Sequence, residues 1–320
     1  MKAAVCYENG PPSVLKYEDV ADPSCGPNEV LIKTAAVSVE GGDTLSRFRG
    51  ALATRPHIVG YQAAGEIMEV GAEVKHLKPG QRVATVDNFG SHAELRVAPA
   101  RNVWPVPDGF DLKLAAAIPI IFGTADDCLF EFGHLKAGET VLVQAGASGV
   151  GIAAIQLAKR AGATVLATAS SDARLARLEP LGIDHGINYM SEDLVPAVMQ
   201  LTGNKGVDLV IDPVGGTVLQ SSILVAGHRG RIVLVGAAAR EPSQIDAGKL
   251  MGGSRSLTGV FLAAEITTDR VHDNIQRLVE EAARGELGVV IDRTYPLSEA
   301  AAAHAYIESR QAVGRVLLIP

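Results

Sequence analysis

Residues 144–151, Gln144-Ala145-Gly146-Ala147-Ser148-Gly149-Val150-Gly151, lie between an apolar run (ETVLVQAG, 139–146) and a helical pattern (VGIAAIQLAKRAG, 150–162). A strand that turns through small residues into a helix start is suited to an anion. The first helical N–H groups point outward, and small side chains let a pyrophosphate approach the backbone. The spacing G-x-G-x-x-G falls on Gly146, Ser148 and Gly151, so a serine takes the middle glycine position. Strand, loop, helix and next strand fit within ~30 residues, as a dinucleotide-binding unit requires. A tight turn packed for purely structural reasons is the alternative.

The end of the next strand selects the dinucleotide. ATVLATAS (163–170) runs into Ser170 and Ser171, with Arg174 one turn into the following helix. An NAD site places Asp or Glu at this strand end to hold the ribose 2′-hydroxyl. Two hydroxyls and a cation instead suit a 2′-phosphate, which points to NADPH. Asp172 keeps a second possibility open. It is either a first-turn carboxylate favoured by the helix dipole or the holder of a ribose hydroxyl.

These loops need a particular frame. From about residue 120 onward, uninterrupted Val/Ile/Leu runs alternate with helical segments: 139–146, 163–170, 207–216 and 229–238, with 256–263 as a further candidate strand. Parallel strands buried on both faces have this texture, which predicts a doubly wound α/β sheet. Residues 1–115 instead carry short β-type runs at 30–39, 63–71, 80–86 and 92–98, separated by Gly and Pro turns. Such spacing predicts a barrel or sandwich. The tail adds a helix (270–284), a strand (288–297), a helix (298–308) and a last strand (314–320).

Composition excludes several functions. Of 320 residues, 29 are Lys or Arg and 36 Asp or Glu, a net charge of −7. That balance does not neutralise phosphates, so nucleic acid is not expected as a partner. A membrane helix needs ~20 apolar residues in a row, and the longest stretch, 114–122, is shorter and contains Pro119. Cys6, Cys25 and Cys128 are odd in number and far apart, with no Cys-x-x-Cys pair, and the start MKAAVCYENG has no apolar leader core. A reducing cytoplasm is the expected location.

A longer set of motifs now adds to this reading. GYQAAGEIMEVG (60–71), KPGQRV (78–83), VPDG (106–109), AAAIPIIFGTA (115–125), residues 135–171, LGIDHGINY (181–189), GVDLVIDPVGG (206–216) and residues 290–320 occur in order. Over essentially its whole length the chain resembles the zinc-free quinone oxidoreductase branch of the medium-chain dehydrogenase/reductase superfamily. The resemblance implies a GroES-like β-rich domain from residues 1–120 with 264–320, and a Rossmann domain from 121–263. It implies an interdomain active site and a homodimer joined through the last Rossmann strands. It places Ser148, Gly149, Val150 and Gly151 at the pyrophosphate and Ser170, Ser171, Arg174 and Tyr189 around the 2′-phosphate and adenosine. Thr124 falls beside the nicotinamide, and Arg310 matches a further cofactor contact. On residues alone, Tyr189 could equally be core.

Zinc-dependent relatives carry Gly-His-Glu where this chain has Gly60-Tyr61-Gln62. Neither Tyr nor Gln is an ordinary zinc ligand, and residues 87–110 contain no cysteine, so no metal is expected. The chain also departs from its family. Where Asn-Pro-x-Asp is common, it reads Glu40-Gly41-Gly42-Asp43, and nearby aromatic positions are Leu45 and Leu52. Glu40 becomes a candidate acid, its pKa raised by desolvation, and Tyr61 a candidate donor to a developing oxyanion. The plainer alternatives are a turn cap and a volume filler. The expected activity is NADPH-dependent hydride transfer to a small molecule, either a quinone or an activated C=C. An enoyl-thioester or 2-alkenal reductase is a close variant, and a non-catalytic NADPH-binding protein is an alternative of another class.

Overall fold

In the computed structural model, which describes all 320 residues, the chain divides into two units. One is Met1–Ile120 with Ala263–Pro320, the other Ile121–Leu262.

In the second unit the apolar runs become a six-stranded sheet. Its order is His185–Asn188, Thr164–Ala169, Thr140–Val143, Val207–Asp212, Ala226–Leu234 and Ser256–Gly259, every pair parallel. Numbered along the chain this is 3-2-1-4-5-6, the doubly wound Rossmann order. Winding reverses between Thr140–Val143 and Val207–Asp212, and open α/β sheets bind ligands at the strand ends there. The central strands are buried on both faces, which is why their sequences show no alternation.

In the first unit, strand Glu29–Val39 is the hub. It pairs antiparallel with Gln62–Val70, Leu95–Pro99 and the C-terminal strand Arg315–Ile319. These belong to a seven-stranded sheet, and a three-stranded sheet joins Lys16–Asp19, Lys2–Cys6 and His57–Ile58. One core holds Val30, Ile32, Ile67 and Val83. Another brings Val37 and Val39 together with Leu297, Ala303 and Leu318 of the C-terminal segment. His92 and His304 meet in the interior with their Nε2 atoms 2.9 Å apart, joining the loop before Leu95–Pro99 to helix Ala300–Glu308. Burial pushes the His92 imidazole down to about 3, so one neutral ring donates to the other.

Helix Gly41–Arg49 does not show in the sequence pattern. Its buried face is Asp43, Thr44 and Arg47, a polar stripe that hydrophobic periodicity cannot reveal. Glu40 N–H donates to Asp43 Oδ2 at 2.7 Å and closes its first turn, and Arg47 is ion-paired with Glu308. Helix Gly216–Val225 was likewise hidden behind the double glycine that opens it. No helix is long and apolar enough to cross a membrane.

Candidate active site and cofactor site

Three neighbouring strand ends of the parallel-sheet unit carry most of the expected cofactor residues. After Thr140–Val143, Ser148 is the N-cap of helix Gly149–Arg160, its Oγ accepting from Gly151 N–H at 3.1 Å. This accounts for a serine at the middle glycine position, since it satisfies one of the helix's orphan donors. The amides of Gly149 and Val150 open the same turn. Gly151 is packed so closely that a Cβ would lie 2.5 Å from the Ala145 carbonyl oxygen. Ala145 itself is left-handed, with φ of 49°.

At the end of Thr164–Ala169, Arg174 Nη1 donates to Ser170 Oγ at 2.7 Å. Ser171 Oγ caps the helix that carries Arg174, accepting from its N–H at 3.4 Å. Asp172 is engaged, because its Oδ1 accepts from Asn188 Nδ2 at 2.9 Å. Tyr189 follows the next strand, its N–H bonded to the Ala169 carbonyl at 3.2 Å. Its side chain is half exposed, so it is not core. The remaining two lie apart from this group in the chain. Thr124 is buried in helix Ile118–Asp126. Arg310 is an exposed residue of the β-rich unit, left-handed with φ of 58° just past helix Ala300–Glu308.

In the β-rich unit, Glu40 and Tyr61 sit in one network. Glu40 is 6% exposed. Its Oε1 takes hydrogen bonds from Arg315 Nη2 and Gln62 Nε2 and lies 3.5 Å from Ser38 Oγ. Arg315 also reaches the Val39 carbonyl, and its Nε donates to Ser38 Oγ at 3.0 Å. Burial pushes the Glu40 carboxyl up while the Arg315 charge pulls it back. Glu40 Oε1 is held in an ion pair that ties the start of helix Gly41–Arg49 to the last strand. Gln62 passes the connection on, its Oε1 accepting from Ile120 N–H at 3.0 Å.

Tyr61 is held at every polar atom. Its N–H donates to Asp43 Oδ1 at 3.1 Å, and its carbonyl accepts from Arg96 Nη2 at 2.7 Å. The hydroxyl donates to the Gly42 carbonyl at 3.3 Å. The ring lies on Gly42 so closely that a Cβ there would sit 2.4 Å from Tyr61 Cε2. Burial, reinforced by Asp43 and Glu40, pushes the phenol up to about 12, so it keeps its proton at neutral pH. Burial pushes Asp43 up to about 8 and Arg96 down to about 10. Asp43, Arg96 and Arg315 were not singled out from the sequence. The one available signal was charge within apolar runs, as in LRVA (95–98) and GRVLLIP (314–320), since a buried charge requires a partner.

No three His, Cys, Asp or Glu side chains are grouped to hold a metal ion. The alcohol dehydrogenase GroES-like domain model matches residues 26–108, and the zinc-binding dehydrogenase model matches residues 149–281. A 2-haloacrylate reductase from a Burkholderia species is 32% identical, covering 99% of this chain and 98% of its own. A quinone oxidoreductase from Pseudomonas aeruginosa is 33% identical, covering 97% of each. The crystal structure of Escherichia coli quinone oxidoreductase complexed with NADPH superposes with a TM-score of 0.94 at 29% identity, over 100% of both chains. Matched from end to end, with Tyr61 and Gln62 at the positions of the zinc relatives' His and Glu, the chain belongs to the zinc-free quinone oxidoreductase branch of the medium-chain dehydrogenase/reductase superfamily.

Proposed function

We propose that this oxidoreductase uses NADPH to reduce a small molecule, either a quinone or an electron-poor C=C. The observation that carries the cofactor choice is the Arg174–Ser170 pair, 2.7 Å apart at a strand end whose nearest carboxylate, Asp172, is already bonded to Asn188. Guanidinium and hydroxyl donors fit a 2′-phosphate. Related proteins support both acceptor classes: some are quinone oxidoreductases and one is a 2-haloacrylate reductase. When bound, NADPH supplies the hydride and the protein supplies position and polarity.

In this reading the amides of Gly149 and Val150, with Gly151 in close packing behind them, receive the pyrophosphate at the Ser148-capped turn. Ser170, Ser171 and Arg174 hold the 2′-phosphate, and Tyr189 borders the adenosine. Thr124 stands beside the nicotinamide and Arg310 adds a contact. Tyr61 donates to the oxygen that gains charge as the acceptor is reduced. Its bond to the Gly42 carbonyl is long for an O–H donor, so exchanging it for an oxyanion costs little. Glu40 anchors the segment that carries Gly42 and Asp43.

We further propose a cytoplasmic homodimer. Strand Ser256–Gly259 is the last in the parallel sheet, and Met251 and Phe261, which precede and follow it in the chain, are 78% and 72% exposed. An edge with apolar flanks favours pairing with a second copy. The three cysteines are free, which suits a reducing compartment.

Calorimetric titration tests the cofactor choice. NADPH should bind more tightly than NADH by ~1–3 kcal/mol, roughly 5- to 150-fold. Arg174→Ala should erode that ratio and leave NADH affinity unchanged. Equal affinities, or a preference for NADH, would show that Asp172 leaves Asn188 to hold a ribose hydroxyl.

A further inference from the structure

Behind the two loops at the switch point, buried side chains stand in single file. Ala145 N–H donates to Thr168 Oγ1 at 3.0 Å, and Thr168 Oγ1 donates to Gln144 Oε1 at 2.9 Å. Gln144 Nε2 donates to Ser222 Oγ at 3.2 Å, and Ser222 Oγ donates to Asp212 Oδ2 at 2.8 Å. Asp212 Oδ1 accepts from Val214 and Gly215 N–H at 2.8 and 2.9 Å. None of the four side chains is more than 3% exposed.

The two ends fix the direction of every bond between them. Ala145 N–H can only donate, so the Thr168 hydroxyl receives that bond and gives its own proton onward. A carboxylate can only accept, so Ser222 must donate to Asp212 and receive from Gln144. The Gln144 amide then has one orientation, oxygen to Thr168 and nitrogen to Ser222. Such a chain polarises along its length and tightens each bond. It also links three adjacent central strands, because Gln144 follows Thr140–Val143, Thr168 lies in Thr164–Ala169 and Asp212 ends Val207–Asp212.

What the chain holds at its donor end is unusual. Ala145 has φ of 49°, a left-handed backbone that favours glycine and persists elsewhere only where surroundings enforce it. Its carbonyl accepts from Ser148 N–H at 2.9 Å, so its conformation sets where the phosphate loop starts.

We propose that Thr168, Gln144, Ser222 and Asp212 are positioning residues for the dinucleotide. They hold Ala145 left-handed and yoke the phosphate loop to the 213–216 loop across the switch point. The proposal rests on the reading of residues 146–151 as the NADPH pyrophosphate site.

Two isosteric or smaller substitutions test it at opposite ends. Thr168→Val leaves Ala145 N–H and Gln144 Oε1 without partners, and Ser222→Ala breaks the chain near Asp212. Each should raise the NADPH Kd by about 5- to 50-fold, the scale of an unmade buried hydrogen bond. The double variant should fall short of the product of the two, because both break one chain. Thr168→Ser should retain the parent affinity. Adding Ala145→Gly to Thr168→Val should restore most of the binding, because glycine takes the left-handed conformation unaided, and a loss through general destabilisation would not be restored this way. Affinities within about twofold of the parent in both single variants, or no rescue by glycine, would overturn the proposal. Amide exchange separates it from the cofactor reading. If the parent itself fails to bind NADPH, that reading falls. Faster exchange at Ala145 in Ser222→Ala would still support the yoke, and unchanged exchange would reject it.

Discussion

Replacing Arg315 with methionine is expected to destabilise the β-rich unit by about 3–5 kcal/mol, the cost of leaving one member of a buried ion pair alone. Arg315 and Glu40 are 7% and 6% exposed, and Asp43, fully buried, lies close enough to raise the local cost of negative charge. Arg315 is also the charge that opposes the upward push of burial on Glu40, so without it the Glu40 carboxyl rises further. A carboxyl whose folded pKa exceeds its unfolded value contributes stability at low pH and loses it as pH rises through the folded pKa. The Arg315→Met deficit should therefore be smaller near about pH 5 than near about pH 8. Adding Glu40→Gln should recover most of the loss, because it removes the orphaned charge. Urea denaturation at the two pH values measures all three effects. A deficit below about 1 kcal/mol, equal at both pH values, would mean that the pair is not buried as described.

The second large effect concerns Tyr61. Tyr61→Phe should lower kcat by about 100-fold, the lower end of what a positioned proton donor contributes, and leave the NADPH Kd nearly unchanged. The phenol holds its proton through neutrality, and its partner carbonyl at 3.3 Å is a weak competitor. Gly42→Ala should give a comparable loss by another route, since the new methyl would lie 2.4 Å from the ring and must displace it. Steady-state kinetics with the best quinone or enone separates the readings. Losses below about threefold in Tyr61→Phe would leave the ring as packing and assign the oxyanion to water.

The sequence made the parallel-sheet unit legible because its signals are local. A continuous apolar strand, Thr140–Val143, a small-residue turn and the start of helix Gly149–Arg160 follow one another within twelve residues, and Ser170, Ser171 and Arg174 lie within five residues of one another. The β-rich unit was harder to read. Its strands could be drawn from turns and β-branched runs, but its polar interior depends on pairings far apart in the chain. Glu40 meets Arg315 at a separation of 275 residues, and His92 meets His304 at 212. Residue type alone made Glu40 a candidate acid and gave no sign of the three donors around one of its oxygens. Gln62 could be read only as a poor zinc ligand, yet it bridges Glu40 to the start of helix Ile118–Asp126. Helix Gly41–Arg49 stayed hidden because its inward face is charged and hydroxylic.

A zinc-free chain that reduces a small acceptor with NADPH must do so without any added metal. Chelator-treated protein should be given NADPH with a simple quinone, and separately with an α,β-unsaturated acid or ketone, following cofactor oxidation and product together. Saturable NADPH oxidation, matched one-for-one by reduced product, is expected with at least one acceptor class, slower with NADH and unaffected by the chelator. Bound NADPH that is never oxidised in the presence of either acceptor, or activity that disappears with chelation and returns with zinc, would contradict it.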